Sequence, residues 1–291
     1  MIQIVLAMMP ARIKNVCRKI RVIYRISGRA MQTVDKALGL LGFFSEGRPA
    51  IGLSEIARLS GFNKATTRRL LVALEKHGFV EQEDKTRAYR LGPGLLRLAR
   101  VREAVSPVQE VIRPIMDDLV SRIGETAHFS MYAGGSLATI GLVESTKSNR
   151  VMLERGEVIP LHATASGMAF MAFARPEIVE KALTSKLTGH TSSTITDANE
   201  LRERLSSVAK AGVAVANSSY EDGVCGIAAP VLGQDGFSRG AIAIAAPASR
   251  AKREVIAEIQ PEVKRAATEI ASAMGVDITS ASSRAQGAAV V

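Results

Sequence analysis

The sequence predicts an α+β protein in two parts, and three observations carry that expectation. Between Leu53 and Leu91 a short helical run, a Ser60-Gly61-Phe62 turn and a second amphipathic run lead into two short alternating segments, the outline of a winged helix-turn-helix. From Ala127 the apolar period changes to two, and strand pairs then mix with helical runs, as in one mainly antiparallel sheet flanked by helices. Between the halves lie Gly92-Pro93-Gly94 and an arginine-studded helical stretch, and 291 residues suit about two domains.

Taken in order, Thr33 is placed to cap a helix with Asp35 in its first turn and Val34, Leu38 and Leu41 at helical spacing. Glu46-Gly47-Arg48-Pro49 ends it. Ser54 is the expected cap of a short second helix, with Glu55 where a carboxylate meets the positive end of the dipole. Gly61 supplies the left-handed stop, and Asn63 caps a third helix.

Successive residues of a helix are rotated by about 100°, which puts Thr67, Leu70, Leu71 and Leu74 of the third on one face. Ala65, Arg68, Arg69, Val72 and Lys76 fall on the other. A charged helix face is ordinarily just solvated. Here it follows a short helix and a tight glycine turn, so the third helix reads as a DNA-recognition helix. Lys64 and Thr66 lie at its start, with Ser54 and Asn63 at the helix entries. Phe79–Glu81 and Ala88–Leu91 form two wing strands joined by the polar 82–87 loop, where Lys85, Arg87 and Arg90 are placed to meet phosphates.

After Gly94, the run Leu95, Leu96, Leu98 and Ala99, with Arg97, Arg100 and Arg102, reads as a linker helix. Ser106-Pro107 looks like a fresh cap for a helix carrying Val108, Ile112, Met116, Leu119 and Ile123 on one stripe, with Pro114 marking a kink. The second half starts with a hairpin, His128–Tyr132 and Leu137–Val143 around Ala133-Gly134-Gly135-Ser136. Short strands are expected at Val151–Leu153 and Val158–Leu161, and helices at Ala163–Phe173, Pro176–Leu183 and Ala198–Ala211. Strands follow at Val213–Val215, Gly226–Leu232 and Ala241–Ala246, then two helices, Arg250–Ile259 and Pro261–Met274.

Hydrophobic residues make up 47% of the chain, enough for a sizeable core, and the formal net charge is +10. Residues 1–30 hold seven basic side chains (Arg12, Lys14, Arg18, Lys19, Arg21, Arg25, Arg29) and no acidic ones, so the extreme charge belongs to the N-terminal stretch. The opening MIQIVLAMM is too short to span a membrane, and its charges follow the apolar run, the wrong order for a secretory signal. Only Cys17 and Cys225 are present, which offers no disulfide framework and suits a reducing cytoplasm.

Catalytic chemistry finds little support. Cys225 in GVCG has no group to orient it toward His162, and such a cysteine is more often buried packing. His77, His128, His162 and His190 lack metal-ligand spacing. Ala165-Ser166-Gly167 is not a nucleophile elbow. No catalytic residue, cofactor or metal is expected.

The phrases GRAMQTVDKALGLL, LSEIARLSGFNKATTRRLLVALEKHGFV, YRLGPGLL, PLHATASGMAFMAF, AGVAVANSSYEDGVCGIAAPV and AIAIAAPASR, in that order over about residues 29–275, resemble the IclR family of bacterial transcription regulators. The resemblance implies a winged helix-turn-helix joined by a linker helix to a GAF-like effector-binding domain, acting as a homodimer or dimer of dimers. The resemblance then divides the matched part into the DNA-binding domain at 29–93, the linker helix at 94–106 and the effector-binding and oligomerisation domain at 107–275, while composition alone marks a basic, flexible extension at 1–28 and a disordered tail at 276–291. The partners implied are a double-stranded, pseudo-palindromic DNA operator and a small-molecule effector.

In family members that bind small 2-oxo acids, the pattern places an Asp, a Cys and two Ser around the ligand. Those positions match Ala216, Gly226, Ala243 and Ala245 here, so all four polar anchors are missing. A desolvated carboxylate without partners is costly. The same matching brings Val151, Ile159, Ala165, Ser166, Asn217 and Val224 to the site, with backbone amides around Ser166-Gly167. The expected effector is larger or more apolar than a 2-oxo acid, its polar end held by Ser166 and those amides; the competing expectation is that the alanines close the pocket. Two other classes compete with a regulator: a sensor or enzyme whose helix-turn-helix makes protein contacts, and a nonspecific nucleoid protein.

Overall fold

The computed structural model describes residues 32–45, 47–105, 108–153, 156 and 158–275. The expected extension at 1–28, the Ser106-Pro107 cap and the tail at 276–291 lie outside them. The chain divides into two compact units between Ser106 and Pro107.

In the first unit, α1 (Gln32–Leu41), α2 (Leu53–Ser60) and α3 (Lys64–Lys76) surround a small antiparallel sheet of β1 (Ala50–Ile51), β2 (Val80–Gln82) and β3 (Tyr89–Leu91), ordered β1-β3-β2. Leu40, Phe43, Ile51, Ile56, Leu70, Leu71, Leu74, Val80 and Tyr89 form one buried cluster. The inward face of α3 is Thr67, Leu70, Leu71 and Leu74, the set given by the helical period. Gly61 adopts φ 75°, the left-handed turn that lets α2 stop and α3 start in another direction. α4 (Pro93–Val105) closes the unit.

Three local expectations are corrected. α1 already includes Gln32, so Thr33 lies inside the helix instead of capping it. α2 begins at Leu53 with Gly52 as its cap: the Gly52 carbonyl accepts from the Glu55 and Ile56 amides, each at 3.0 Å, and Ser54 sits two residues too late. The wing also has a third strand, β1, whose Ala50 and Ile51 pair with Arg90 and Tyr89. Two residues after Pro49 are too few to show an alternating period.

The second unit is a six-stranded sheet in the order β6-β5-β4-β9-β8-β7, with every pair antiparallel. Its strands are β4 (Thr126–Ala133), β5 (Ser136–Val143), β6 (Val158–Ile159), β7 (Ala214–Asn217), β8 (Val224–Leu232) and β9 (Ser238–Pro247). One face is covered by α5 (Val108–Ile123) and α9 (Arg253–Ala273), around Phe129, Ile227, Ile242, Ile244 and Val263. The other carries α6 (Ala165–Met171), α7 (Pro176–Thr184) and α8 (Ala198–Ala211) over Leu137, Ala214, Ala216, Ala228, Ala241 and Ala243. Among the described residues no helix is long and apolar enough to cross a membrane.

Two elements differ from expectation here. Residues 151–153 form no strand; the Val151 carbonyl instead accepts a hydrogen bond from the Thr126 hydroxyl at 3.2 Å. The two C-terminal helices are one, α9, running through Pro261. Proline removes one backbone donor, but Ile259 before it and Val263, Ala266, Ala267 and Ile270 after it share one buried stripe, and that packing holds the helix together. α5 likewise runs through Pro114.

Candidate functional sites

The outward face of α3 is cationic and unpaired. Lys64, Ala65, Arg68 and Arg69 are exposed and Thr66 is partly so. No carboxylate lies within ion-pair distance of Lys64, Arg68 or Arg69 among the described residues. Asn63 sets the start of this face: its Oδ1 accepts from the Thr66 amide at 2.8 Å, so half of the side chain is committed to the cap. Ser54 is exposed in the first turn of α2.

The wing tip presents Lys85 and Arg87, both exposed. Arg87 holds φ 57°, and its carbonyl accepts from the Gln82 side chain at 2.7 Å. Burial raises the Tyr89 phenol pKa and Glu75 adds to that, while Arg68 and Arg87 oppose it. One cation from α3 and one from the wing therefore act on the same ring. Arg90 differs from the other predicted contacts, because its Nε donates to Glu81 Oε1 at 2.6 Å across the wing sheet. It reaches any phosphate only as a shared charge.

In the second unit, sheet register sorts the predicted effector residues. Ala216 pairs with Gly226, Gly226 with Ala245, and Ala245 with Thr126, forming one row across four strands. The next row runs Ala214, Ala228, Ala243 and His128. Both rows face α6, whose Ala165 and Ser166 are buried. Ile159 is buried on the same side through its pairing with Leu137. Val151 is buried beside Thr126. Val224 is half-buried at the end of β8, opposite Pro247.

Asn217 does not join this group. The two-residue alternation of β7 puts it on the opposite face from Ala216, in register with Cys225, and it is exposed. Nor is the Gly167 amide available to a ligand, since it donates to the capping hydroxyl of Thr164 at 3.0 Å. Around Gly226 the small residues bring α6 close to the sheet and do not open space: a Cβ there would stand 3.1 Å from the Ala165 Cβ.

A polar group that sequence reasoning missed lies on β4, beside these alanines. Thr126, His128 and Ser130 alternate on the face toward α6, and all three are buried. Thr126 Oγ1 donates to the Val151 carbonyl and accepts from the Ser145 amide, both at 3.2 Å. Ser130 bonds Thr139 at 3.2 Å between the two hydroxyls. His128 Nε2 lies 3.1 Å from Ser166 Oγ, and its Nδ1 is buried with no partner. Burial lowers the His128 pKa to about 4, so the ring is neutral near pH 7. The signal was present in T-A-H-F-S, where every second residue of a buried strand is polar.

The remaining candidates for chemistry are separate. Cys225 is buried against the α5–α9 core, which raises its thiol pKa. His162 is held by the Thr188 carbonyl at 3.0 Å; burial lowers its pKa and that bond opposes the shift. No group of three or more His, Cys, Asp or Glu among the described residues is arranged to hold a metal ion.

A winged helix-turn-helix with an unpaired cationic recognition face, followed by an α+β unit with a buried ligand-type face, defines a DNA-binding regulator with a sensory domain. Residues 33–84 match the IclR helix-turn-helix domain, and residues 104–272 match the bacterial transcriptional regulator IclR C-terminal domain. The chain belongs to the IclR family and is a DNA-binding transcription regulator with a C-terminal effector-binding domain. The crystal structure of an IclR-type regulator from Silicibacter sp. TM1040 is 40% identical, with a TM-score of 0.77, over 84% of this chain and 97% of that one. The glycerol operon regulatory protein of Streptomyces griseus is 31% identical over 76% of this chain and 87% of its own length. The transcriptional repressor IclR of Escherichia coli is 27% identical over 84% and 90%.

Proposed function

We propose that this regulator binds a pseudo-palindromic operator as a homodimer or dimer of dimers, with two copies of α3 in successive major grooves. The observation that carries the reading is the exposed, unpaired Lys64, Arg68 and Arg69 opposite the buried Thr67, Leu70, Leu71 and Leu74. Arg68 and Arg69, with Ala65 and Thr66, are assigned to base edges; Ser54, Asn63, Lys85 and Arg87 position the backbone; Arg90 contributes through its pair with Glu81. Self-association is supported by apolar side chains left exposed on α1 (Val34, Leu38) and α4 (Leu96, Leu98, Val101). The protein acts in the cytoplasm and catalyses no reaction.

The effector site is assigned to the sheet face beneath α6, between Ala243, Ala245, Ile159 and Ser166. With the polar anchors of a 2-oxo acid site replaced by Ala216, Gly226, Ala243 and Ala245, the effector is larger or more apolar than those acids. An effector alters DNA affinity only by binding two quaternary arrangements unequally, and α4 is the lever between the units. Fluorescence anisotropy with fragments of the chain's own upstream DNA tests the reading. A preference over random duplex of about a thousandfold or more is expected for a specific regulator. Equal affinity for random DNA removes it in favour of a nucleoid protein, and no DNA binding favours a sensor or enzyme.

A further inference from the structure

We propose that His128 Nδ1 is the polar anchor of the effector site and that the effector offers it an uncharged hydroxyl carried on an apolar body. The proposal rests on the placement of the effector site beneath α6.

Three observations converge on His128. First, the row Ala214, Ala228, Ala243 reaches His128 and continues to Leu142 of β5, so the sheet on both sides of the ring presents apolar side chains, small ones on the β9 side. Second, its polar neighbours on β4 are occupied, Thr126 by Val151 and Ser145, and Ser130 by Thr139. Third, Ser166 from α6 holds Nε2 and leaves Nδ1 as a fully buried nitrogen with no partner. Buried polar atoms are nearly always bonded, and an unmet one is where a ligand gains most.

The chemistry of the site selects the group. Thr126, His128 and Ser130 of β4 and their partners Thr139 and Ser166 carry no positive charge near neutral pH. They offer a carboxylate no counter-ion, which disfavours a desolvated anion. Ser166 can donate to Nε2, making Nδ1 a donor, or accept from it, making Nδ1 an acceptor. A ligand hydroxyl satisfies either arrangement, whereas a ketone satisfies only one. Ala243 and Ala245 then meet the apolar remainder.

Calorimetric titration of the full chain with phenol, toluene, benzoate and pyruvate tests this. Phenol is expected to bind at least tenfold more tightly than toluene or benzoate. His128→Leu should erase the preference for phenol over toluene, and His128→Asn, which keeps a donor and an acceptor, should retain part of it. As a check independent of any variant, phenol should shift the His128 imidazole nitrogen resonances of the unaltered protein. Tighter binding of benzoate or pyruvate, no phenol binding, an unchanged preference in His128→Leu, or unmoved imidazole resonances would each overturn the anchor. Ala243→Val separates the two levels. If it abolishes binding of a probe that His128→Leu leaves intact, the site stands without the anchor; if it changes no probe's affinity, the site itself is misplaced and both fall.

Discussion

Glu125 and Arg250, far apart in sequence, meet at the edge of the effector unit in two hydrogen bonds of 2.8 and 2.7 Å. The carboxylate is almost wholly buried, with a side-chain exposure of 5%, and Lys147 reaches it at 2.9 Å. Arg250 also donates to the Asn149 carbonyl. One acid thus ties the start of β4 to the segment after β5 and to the loop after β9.

Burial alone would raise the Glu125 pKa, but the bonds from Arg250 and Lys147 outweigh it and the net shift is downward. A folded-state pKa below the unfolded one contributes stability that is present above the unfolded value, 4.5, and lost as pH falls through the folded one. Melting temperature should therefore drop below about pH 4.5, and less steeply in Glu125→Gln. At pH 7 that variant should be destabilised by roughly 2 kcal/mol, because it weakens the charge-assisted hydrogen bonds from Arg250 and Lys147, both partly solvated. Denaturant titration at the two pH values checks both.

Arg69 and Lys85 should separate two kinds of DNA contact. Arg69→Ala is expected to weaken operator binding by about 1–3 kcal/mol and to relax sequence choice, as loss of a bidentate guanine contact does. Lys85→Ala should weaken all duplexes alike and reduce the salt slope by about one. Anisotropy titrations at several salt concentrations distinguish them, and unchanged affinity in Arg69→Ala would remove it from the interface.

Arg90→Ala should cost less than Arg87→Ala in the same assay. Arg90 is already bonded to Glu81, so its charge is half spent within the wing, whereas Arg87 stands at the exposed tip. A larger loss for Arg90 would mean that the ion pair opens on DNA.

The reader was legible because one period, 3.6 residues, decides both faces of α3, and burial of Thr67, Leu70, Leu71 and Leu74 follows it directly. The strand read as Leu137–Val143 was legible for the same reason, and the observed β5 adds only Ser136 from the turn. What stayed hidden depends on partners distant in sequence. β1 exists only because β3 is beside it. The importance of His128 appears only when α6 brings Ser166 to one of its nitrogens. Asn217 was misplaced because family matching gives neighbours in sequence, and a strand sends neighbours to opposite faces. α9 runs through Pro261 because of a buried stripe that proline by itself cannot reveal.

The seating of α6 gives the last test. A Cβ on Gly167 would collide with the Leu161 carbonyl, which is backbone and cannot rotate away. On Gly226 it would meet only the Ala165 Cβ, at 3.1 Å. Gly167→Ala must lift the helix from the chain beneath it and should destabilise the protein by about 3 kcal/mol, the upper range for overpacking, while Gly226→Ala should cost about 1 kcal/mol. Because α6 also carries Ser166, a lifted helix loosens the hold on His128 Nε2. Gly167→Ala should therefore both lower the melting temperature and perturb the His128 imidazole resonances, with Gly226→Ala doing less of each. Equal effects from the two substitutions would show that α6 is not seated on the Leu161 backbone.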